Sequence, residues 1–247
     1  CFTAAERIFE IMNTEREEVM VENKIVLSNL KGHVKFNNVT FGYDENYPVL
    51  HDINFEANPG ELVGLVGCSG AGKTTIVNLI CRFYNVQKGS IYIDGNEIKN
   101  IKLRDLRSNI GIVSQESYLF TGSIKENISY SKENINMEEI ILAAKVANAH
   151  EFIISFPDGY DTKVGEGGRQ LSGGEIQRIA IARAVIANPR ILILDEATSS
   201  VDSITEEKIR QAIIRLSKNR TTFAIAHKIK TLRNADKLLV FDKGKII

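Results

Sequence analysis

The chain has 247 residues, 43% of them hydrophobic and 25% charged, so it is long enough and apolar enough to bury a globular core. Its 31 basic and 31 acidic side chains balance, which argues against nucleic acid, held through net positive charge, as the main partner. No apolar run approaches the length that is needed to cross a bilayer. The three cysteines show no metal-ligand spacing and are typical of a reducing compartment: Cys1, Cys68 and Cys81.

The first segment of the chain is predicted to be the end of a helix followed by a linker. Apolar residues recur there at helical spacing, from Ala4 through Ile8 to Met12, and a polar stretch follows. We expect the helix to extend to about residue 16 and the linker to about residue 32. Because Cys1 stands where an initiator methionine would be, we also expect a piece of a longer protein.

Strand and helix patterns alternate through the next part of the chain. VKFNNVTF at 34–41 alternates as a strand does, and ELVGLVG at 61–67 indicates a buried strand. Two further short strands are expected at IYIDG and IGIVSQ. The run TTIVNLICRFY at 74–84 predicts a helix whose apolar face is formed by Ile76, Leu79, Ile80 and Phe83.

The second half of the chain continues this alternation. A helical region is predicted at 137–156, closed by the turn signal PDGYD, and a long amphipathic helix at 175–187. The runs ILILDE, TTFAIAH and KLLVFD are continuously apolar, which predicts strands that are buried on both faces. Strands that alternate with helices in this way indicate an α/β domain with a largely parallel sheet.

A glycine-rich loop joins the strand at 61–67 to the helix that follows it. GCSGAGKT matches the pattern G-x-x-x-x-G-K-[ST] through Gly67, Gly72, Lys73 and Thr74. The glycines let backbone N–H groups wrap around phosphates, the lysine reaches the terminal phosphates and the hydroxyl is a Mg²⁺ ligand. The strand before the loop and the helix after it are the context that this motif requires, so we expect a nucleoside triphosphate as the ligand.

Two acidic residues end the apolar run ILILDE. Asp195 is expected at the carboxyl end of a buried strand, where ligands bind in such sheets, and would be the Mg²⁺ partner, directly or through water. Glu196 is expected near the γ-phosphate, where a carboxylate can orient or deprotonate an attacking water. An acidic pair at a strand end is by itself more often a solvated turn, so this interpretation depends on the phosphate loop.

A second glycine-containing helix start lies further along the chain. In LSGGEIQR, Ser172, Gly173 and Gly174 precede a helical pattern, and the N–H groups at such a terminus attract anions. Taken alone, the segment is equally consistent with an ordinary capped helix. One chain therefore carries two helix starts that are suited to an anion.

The ordered set of motifs resembles the nucleotide-binding domain of ABC (ATP-binding cassette) transporters over about residues 34–247. The resemblance implies an α/β fold: a P-loop NTPase (RecA-like) core with a mainly parallel sheet, an N-terminal antiparallel β subdomain and an inserted α-helical subdomain at about 116–180. It divides the chain into the end of a transmembrane-domain helix with its linker, at 1–32, and an ABC ATPase domain at 33–247 with a truncated C-terminal tail. The implied activity is hydrolysis of ATP with Mg²⁺ as cofactor.

The resemblance also assigns roles to single residues. Tyr43 in FGY is implied to stack on adenine, Gln115 in VSQE to touch the metal and the attacking water, and His227 in AIAHK to contact the γ-phosphate. The implied catalytic residues are Glu196, His227, Gln115 and Lys73, and the implied Mg²⁺ ligands are Thr74, Gln115 and Asp195. The implied ATP-binding residues are Tyr43, Gly67, Cys68, Ser69, Gly70, Ala71, Gly72, Lys73, Thr74 and Thr75. Without the resemblance, the tyrosine, glutamine and histidine would be ordinary packing, surface and edge residues.

LSGGE resembles the family signature LSGGQ, which accounts for the second helix start. In the family, two domains pack head to tail, and each signature serine and glycine pair caps the ATP that the other domain holds. Ser172, Gly173, Gly174 and Asp202 (in SSVD) are therefore expected to face the ATP of a partner. Glu175 replaces the usual glutamine, and because a carboxylate near phosphate is unfavourable, we expect it to face away from the nucleotide.

Three segments favour an exporter whose membrane and ATPase parts share one polypeptide. KVGEGG, with Val164, Gly165 and Glu166, resembles the exporter X-loop, FTGSIKENI the segment after the Q-loop, and AAERIFEIM the end of the last transmembrane helix. The implied partners are a second nucleotide-binding domain, identical or not, and the transmembrane domains, at the cytoplasmic face of the cell membrane. A soluble ABC ATPase that acts on DNA or ribosomes and a non-hydrolysing half of a heterodimer are the alternatives, and the transported substrate stays open.

Overall fold

The computed structural model describes residues 2–13, 24–27, 29–114, 117–165, 167–195, 203–225 and 232–247. Six residues that the sequence singles out lie outside these ranges: Cys1, Gln115, Glu166, Glu196, Asp202 and His227. No helix in the described part of the chain is long and apolar enough to cross a membrane.

The helices of the described chain are α1 (Phe2–Met12), α2 (Lys73–Ile80), α3 (Leu103–Ser108), α4 (Ile124–Ser129), α5 (Met137–Val146), α6 (His150–Ile154), α7 (Gly173–Ala187) and α8 (Ser203–Ser217). Its strands are β1 (Val34–Phe41), β2 (Leu50–Ala57), β3 (Leu62–Gly67), β4 (Lys88–Ile93), β5 (Asn96–Glu97), β6 (Ile110–Val113), β7 (Gly122–Ser123), β8 (Lys163–Val164), β9 (Ile191–Asp195), β10 (Thr221–Ile225), β11 (Lys237–Asp242) and β12 (Lys245–Ile246). Single turns of 3₁₀ helix lie at Ile98–Asn100 and Gly159–Asp161.

A six-stranded sheet forms the centre of the fold, with the strand order β12-β11-β3-β10-β9-β6. Its strands are parallel except for β12, which pairs with β11 in the antiparallel direction. β9 and β10 are buried on both faces, as the runs ILILDE and TTFAIAH predict. Because parallel strands share one direction, the carboxyl ends of β3, β10 and β9 meet at the same edge of the sheet.

The prediction that KLLVFD is buried on both faces is wrong. In β11, Leu239 and Phe241 are buried, but Leu238 and Val240 are 49% and 37% exposed. The strand lies next to the edge strand β12, where the described chain covers only one face of the sheet. An apolar run indicates a strand, but it does not indicate the place of that strand in the sheet.

A second sheet, with the order β2-β1-β4-β5, is antiparallel throughout. Its inward side chains Phe36, Ile53 and Ile91 belong to a core cluster that also contains Ile76 of α2 and Phe223 of β10. The expected antiparallel β subdomain is therefore present, and it shares its core with one face of the parallel sheet.

Helices α4, α5 and α6 form a helical insertion between β6 and α7. Their buried side chains pack on α7 and form a second core cluster with residues of β9 and α8. The region predicted as helical at 137–156 consists of two helices, because Asn148 adopts a left-handed conformation with φ of 53° and ends the helical run. The expected helical insertion is present in the described chain.

Two helices differ from what their sequence patterns predict. α2 ends at Ile80, since Arg82 is left-handed with φ of 51°, and Phe83 is 48% exposed and does not complete the apolar face. α7 is predicted to be amphipathic, yet it is buried on nearly all sides between the sheet and the helical insertion. Its polar side chains Gln177 and Arg178 are themselves buried, so their polarity does not mark an exposed face.

Candidate nucleotide-binding site

The loop between β3 and α2 depends on glycines in backbone conformations that other residues rarely adopt. Gly67, Gly70 and Gly72 have φ of 154°, 77° and 106°. A Cβ atom on Gly72 would lie 2.5 Å from Leu50 Cδ2, and one on Gly67 would lie 2.3 Å from the carbonyl oxygen of Phe241. The loop therefore requires glycine both for its turn and for its close packing on β2 and β11.

Lys73 begins α2, and its side chain turns back into the loop. Its Nζ donates to the carbonyl oxygens of Gly67 and Cys68, both at 2.8 Å, and the residue is 6% exposed. These two bonds fix the ammonium group within the loop, at the N-terminal end of α2. The unpaired N–H groups and the partial positive charge of a helix N-terminus attract anions at the same place.

A cleft of about 280 Å³ opens beside this loop. It is lined by the loop, by the start of α2 and by three residues from elsewhere in the chain: Tyr43, Val49 and Ile225. Tyr43 is half exposed, and its hydroxyl lies 3.3 Å from Thr75 Oγ1 and accepts from Asn78 Nδ2 at 3.1 Å. The cleft thus combines an aromatic ring with a fixed positive charge, which suits a ligand with a planar base and a phosphate chain.

Two residues that the sequence analysis did not single out hold Tyr43 in this place. Gln87 accepts from the N–H of Gly42 and donates to its carbonyl oxygen, both at 2.7 Å. Tyr84 packs edge to face on the Tyr43 ring with the centroids 5.0 Å apart. No local pattern marks Gln87, because its partner lies 45 residues away in the sequence. The run at 74–84 predicts Tyr84 within a helix, but that helix ends at Ile80.

Two of the predicted metal ligands lie in the described chain, and both are at the edge of the sheet that carries the phosphate loop. Thr74 is exposed in the first turn of α2, and Asp195 is the last residue of β9. The sheet register pairs Asp195 with Ile225, which lines the cleft. A hydroxyl and a carboxylate are oxygen donors of the kind that Mg²⁺ prefers. The roles of Gln115, Glu196, Asp202 and His227 stay predictions, since these residues lie outside the described chain.

The two described cysteines have different environments. Cys68 is exposed in the phosphate loop and takes part in its geometry through the carbonyl that accepts from Lys73. Cys81 is 1% exposed, and burial raises the pKa of its thiol to about 12. A thiol with that pKa is protonated at neutral pH, so Cys81 serves as an apolar core residue.

The signature corner, by which we mean residues 172–174, is capped by the glutamate that follows it. Ser172 Oγ accepts from Glu175 N at 3.4 Å, and Glu175 Oε2 accepts from Ser172 N and Ser172 Oγ, both at 2.8 Å. The carboxylate therefore turns back onto the serine and completes a capping box at the start of α7. Gly173 has no positive φ, and a Cβ there would meet no described atom within 4 Å.

Two of the three segments that suggest an exporter are neighbours in the fold. β7 pairs with β8 in the antiparallel direction, Gly122 opposite Val164. Gly165 follows β8 with φ of 87°, and a Cβ there would lie 2.7 Å from Thr121 Cα. KVGEGG therefore packs closely on the start of FTGSIKENI, while Glu166 lies outside the described residues.

A glycine-rich loop that leads from a parallel strand into a helix N-terminus, with a lysine folded into it, defines the P-loop class of nucleotide-binding proteins. The sequence profile described as ABC transporter matches residues 50–199 of the chain. The chain belongs to the ABC transporter family.

Curated relatives and a solved structure agree with this family. The chain is 48% identical over 243 residues to an ATP-dependent lipid A-core flippase of Syntrophus aciditrophicus (strain SB). This match covers 98% of this chain and 40% of the relative. It is 46% identical over 242 residues to the beta-(1→2)glucan export ATP-binding/permease protein NdvA of Brucella suis biovar 1 (strain 1330). This match covers 98% of this chain and 40% of the relative. The structure of a bacterial Atm1-family ABC exporter with ATP bound matches with a TM-score of 0.90 at 42% identity, over 99% of this chain and 43% of that chain. The chain spans about two fifths of the length of the curated relatives named here.

Proposed function

We propose that the chain is the motor domain of an ABC exporter, which binds ATP with Mg²⁺, pairs head to tail with a second nucleotide-binding domain and hydrolyses the ATP. The observation that carries the proposal is the position of Lys73, whose ammonium group is held within a glycine loop at the start of α2. A phosphate chain is the ligand that satisfies the backbone N–H groups, the helix N-terminus and the ammonium together.

The adenine and the phosphates of ATP each have a matching group in the cleft. The exposed ring of Tyr43, held by Gln87 through Gly42 and by Tyr84, offers a surface on which adenine can stack. The N–H groups of the glycine loop and the Lys73 ammonium take the phosphates. We assign the loop residues Gly67 to Thr75 to this contact, as the family resemblance implies.

Glu196 and His227, which we assign to hydrolysis, follow two neighbouring strands in the sequence, and the residues that we assign to Mg²⁺ come from several elements. Thr74, Gln115 and Asp195 would hold Mg²⁺, which neutralises phosphate charge when it is bound. We assign Glu196, directly after β9, to orient the attacking water and accept its proton, and His227, two residues after β10, to contact the γ-phosphate. β9 and β10 end at the edge of the sheet that carries the phosphate loop, where ligands bind in such sheets.

The presence of glycine at position 173 is an argument that a partner approaches the signature corner. Within the described chain, neither its φ nor any close contact requires glycine there, and alanine is the better helix former. A ligand that comes close to the backbone from outside the chain would explain the glycine. We therefore assign Ser172, Gly173 and Gly174, with Asp202, to the ATP that a second domain holds.

The relatives favour export over a soluble role on DNA or ribosomes. One of the two named above is an ATP-dependent flippase and the other an export ATP-binding/permease protein, and this chain spans about two fifths of each. We propose that transmembrane domains share the polypeptide of this chain and that the motor domain lies at the cytoplasmic face of the membrane. The names of the relatives mention lipid A-core and a glucan, so they do not agree on a substrate that this chain would share.

The substitution Glu196→Gln tests this function. An amide cannot accept the proton, so hydrolysis should slow by at least about 100-fold while ATP binding remains, and ATP-loaded dimers should accumulate. Size-exclusion chromatography with light scattering, with and without ATP and Mg²⁺, measures the dimer. The same chain with Lys73→Ala should stay monomeric under all conditions. A Glu196→Gln chain that binds ATP and yet remains monomeric would contradict the proposal.

A further inference from the structure

One asparagine ties the bend between α5 and α6 to helix α8. Asn148 Nδ2 donates to the carbonyl oxygen of Lys208 at 2.8 Å, and Asn148 Oδ1 accepts from Arg215 Nη1 at 3.0 Å. Both partners belong to α8, while Asn148 itself lies in the helical insertion with a left-handed φ of 53°. The side chain therefore joins two elements that are distant in the sequence.

The backbone of the same residue reaches helix α7 through Arg178. The carbonyl oxygen of Asn148 accepts from Arg178 Nη1 at 2.9 Å, and Arg178 Nε donates to the carbonyl oxygen of Gly174 at 3.1 Å. Arg178 is 8% exposed, and its Cζ lies 4.5 Å from the ring centroid of Phe152 in α6. Because a guanidinium is planar and rigid, the Arg178 side chain alone sets the spacing between Asn148 and the signature corner.

We propose that Asn148 is a positioning residue that fixes the signature corner relative to α8 and thereby sets the strength of ATP-driven pairing between two copies of this chain. The inference rests on the proposed function. The chain of contacts runs from Gly174 through Arg178 and Asn148 to α8, which begins directly after the segment that contains Glu196 and Asp202. Coupling between distant sites is carried by contiguous hydrogen bonds and packed side chains of this kind.

A matched control lies at the other end of α7. Asn188 is also left-handed, with φ of 49°, and its Oδ1 accepts from Arg220 Nη2 at 2.9 Å. It caps the C-terminus of the 15-residue helix α7, which at 1.5 Å per residue is about 22 Å long. Asn188 thus makes a bond of the same type in the same backbone conformation, far from the signature corner.

The experiment compares Asn148→Gly with Asn188→Gly, both in the Glu196→Gln chain. Glycine accepts a left-handed φ, so each substitution removes the side-chain bonds and keeps the backbone conformation, including the carbonyl that accepts from Arg178. Sedimentation velocity at saturating ATP and Mg²⁺ gives the dissociation constant of the dimer. Asn148→Gly should raise that constant at least about fivefold and Asn188→Gly less than about twofold, while both monomers keep their affinity for a fluorescent ATP analogue.

The control outcomes separate positioning from stability. Both variants should lower the melting temperature, since Asn148→Gly removes two side-chain bonds and Asn188→Gly removes one. Equal dimer constants for the two would overturn the inference and leave the proposed function intact. A Glu196→Gln parent that binds ATP without forming dimers would overturn both. If Asn148→Gly does not fold, Arg215→Ala removes one exposed partner of the same side chain and should raise the dimer constant at least about twofold, and an unchanged constant would overturn the inference.

Discussion

The ammonium group of Lys73 is held in place by the backbone of the loop that surrounds it. A buried ammonium is costly unless its donors are satisfied, and the carbonyl oxygens of Gly67 and Cys68 satisfy two of them. The loop thus holds the cation in place before a ligand arrives. A lysine that is already ordered loses less side-chain entropy when phosphate binds than a flexible surface lysine does.

Substitutions at Tyr43 test the base-binding half of the cleft. Tyr43→Ala should weaken ATP binding by roughly 5- to 150-fold, because stacking contributes about 1–3 kcal/mol per base. Tyr43→Phe keeps the ring and loses only the contacts of the hydroxyl with Thr75 and Asn78, so affinity should stay within about threefold. Isothermal titration calorimetry with ATP measures the difference.

Inorganic triphosphate, which lacks the base, is the control ligand for the Tyr43 variants. It should bind the parent and both variants equally, since the phosphate loop is unchanged. If Tyr43→Ala weakened triphosphate binding as much as ATP binding, the tyrosine would be supporting the loop and not the adenine.

At the scale of a single element, α7 joins the signature corner, for which we propose a function, to a helix that is packed along most of its length. Its isoleucines and alanines are buried between the central sheet and the helical insertion along most of its length. A site at the end of a helix that is packed in this way keeps its geometry better than a site on a free loop. The capping box of Ser172 and Glu175 then fixes the first turn of that helix.

Glu175 offers a test of that first turn. Glu175→Ala should lower the free energy of unfolding by about 1 kcal/mol, the usual contribution of a helix cap. Glu175→Gln keeps an oxygen that accepts from Ser172 N and should stay within about 0.5 kcal/mol of the parent. Urea denaturation followed by circular dichroism measures both. A glutamine variant as unstable as the alanine variant would show that the negative charge at the helix N-terminus stabilises α7, and not the hydrogen bonds.

At the scale of the whole molecule, the two helix starts that are suited to an anion belong to different parts of the fold. α2 begins at the edge of the central sheet and takes the lysine into its loop, whereas α7 begins beside the helical insertion, with open space at Gly173 in the described chain. In the proposed dimer each copy supplies one of the two helix starts to each nucleotide. Hydrolysis by the isolated chain then requires two molecules.

The ATPase activity per molecule should therefore rise with protein concentration. While dimers are rare, the specific activity should increase roughly in proportion to concentration and then level off, as mass action requires. Phosphate release measured over about three orders of magnitude of protein concentration tests this. A specific activity that is constant down to well below micromolar concentration would contradict it.

Gly173→Ala is the matched variant for this measurement. Alanine should leave the fold intact or stabilise it by up to about 1 kcal/mol, since a Cβ meets no described atom there and alanine favours helix. The concentration that gives half-maximal activity should nevertheless rise at least about fivefold, because in the proposed dimer the added methyl group would face the ATP of the partner. An unchanged concentration dependence would mean that nothing approaches Gly173.

The errors of sequence interpretation arise where burial depends on distant parts of the chain. The patterns in KLLVFD and EIQRIAIARAVIA indicate the correct element types, but the exposure of Leu238 and the burial of Arg178 follow from which neighbours lie beside β11 and α7. The end of α2 at Ile80 depends on the left-handed Arg82, which donates to the carbonyl oxygens of Ile98 and Ile101 in another part of the chain. Periodicity within one element contains no information about such partners.

The sequence by itself determined the α/β class, the phosphate loop with Lys73 and the family, because these depend on residue types at fixed local spacing. Only the tertiary structure decided how Gln87 and Tyr84 hold Tyr43, how Glu175 turns onto Ser172, and how Asn148 joins α8 to Arg178. The physical reason is that most of these contacts join residues tens of positions apart, brought together only when the sheets and the helical insertion pack. Local patterns specify elements, and packing specifies which side chains meet.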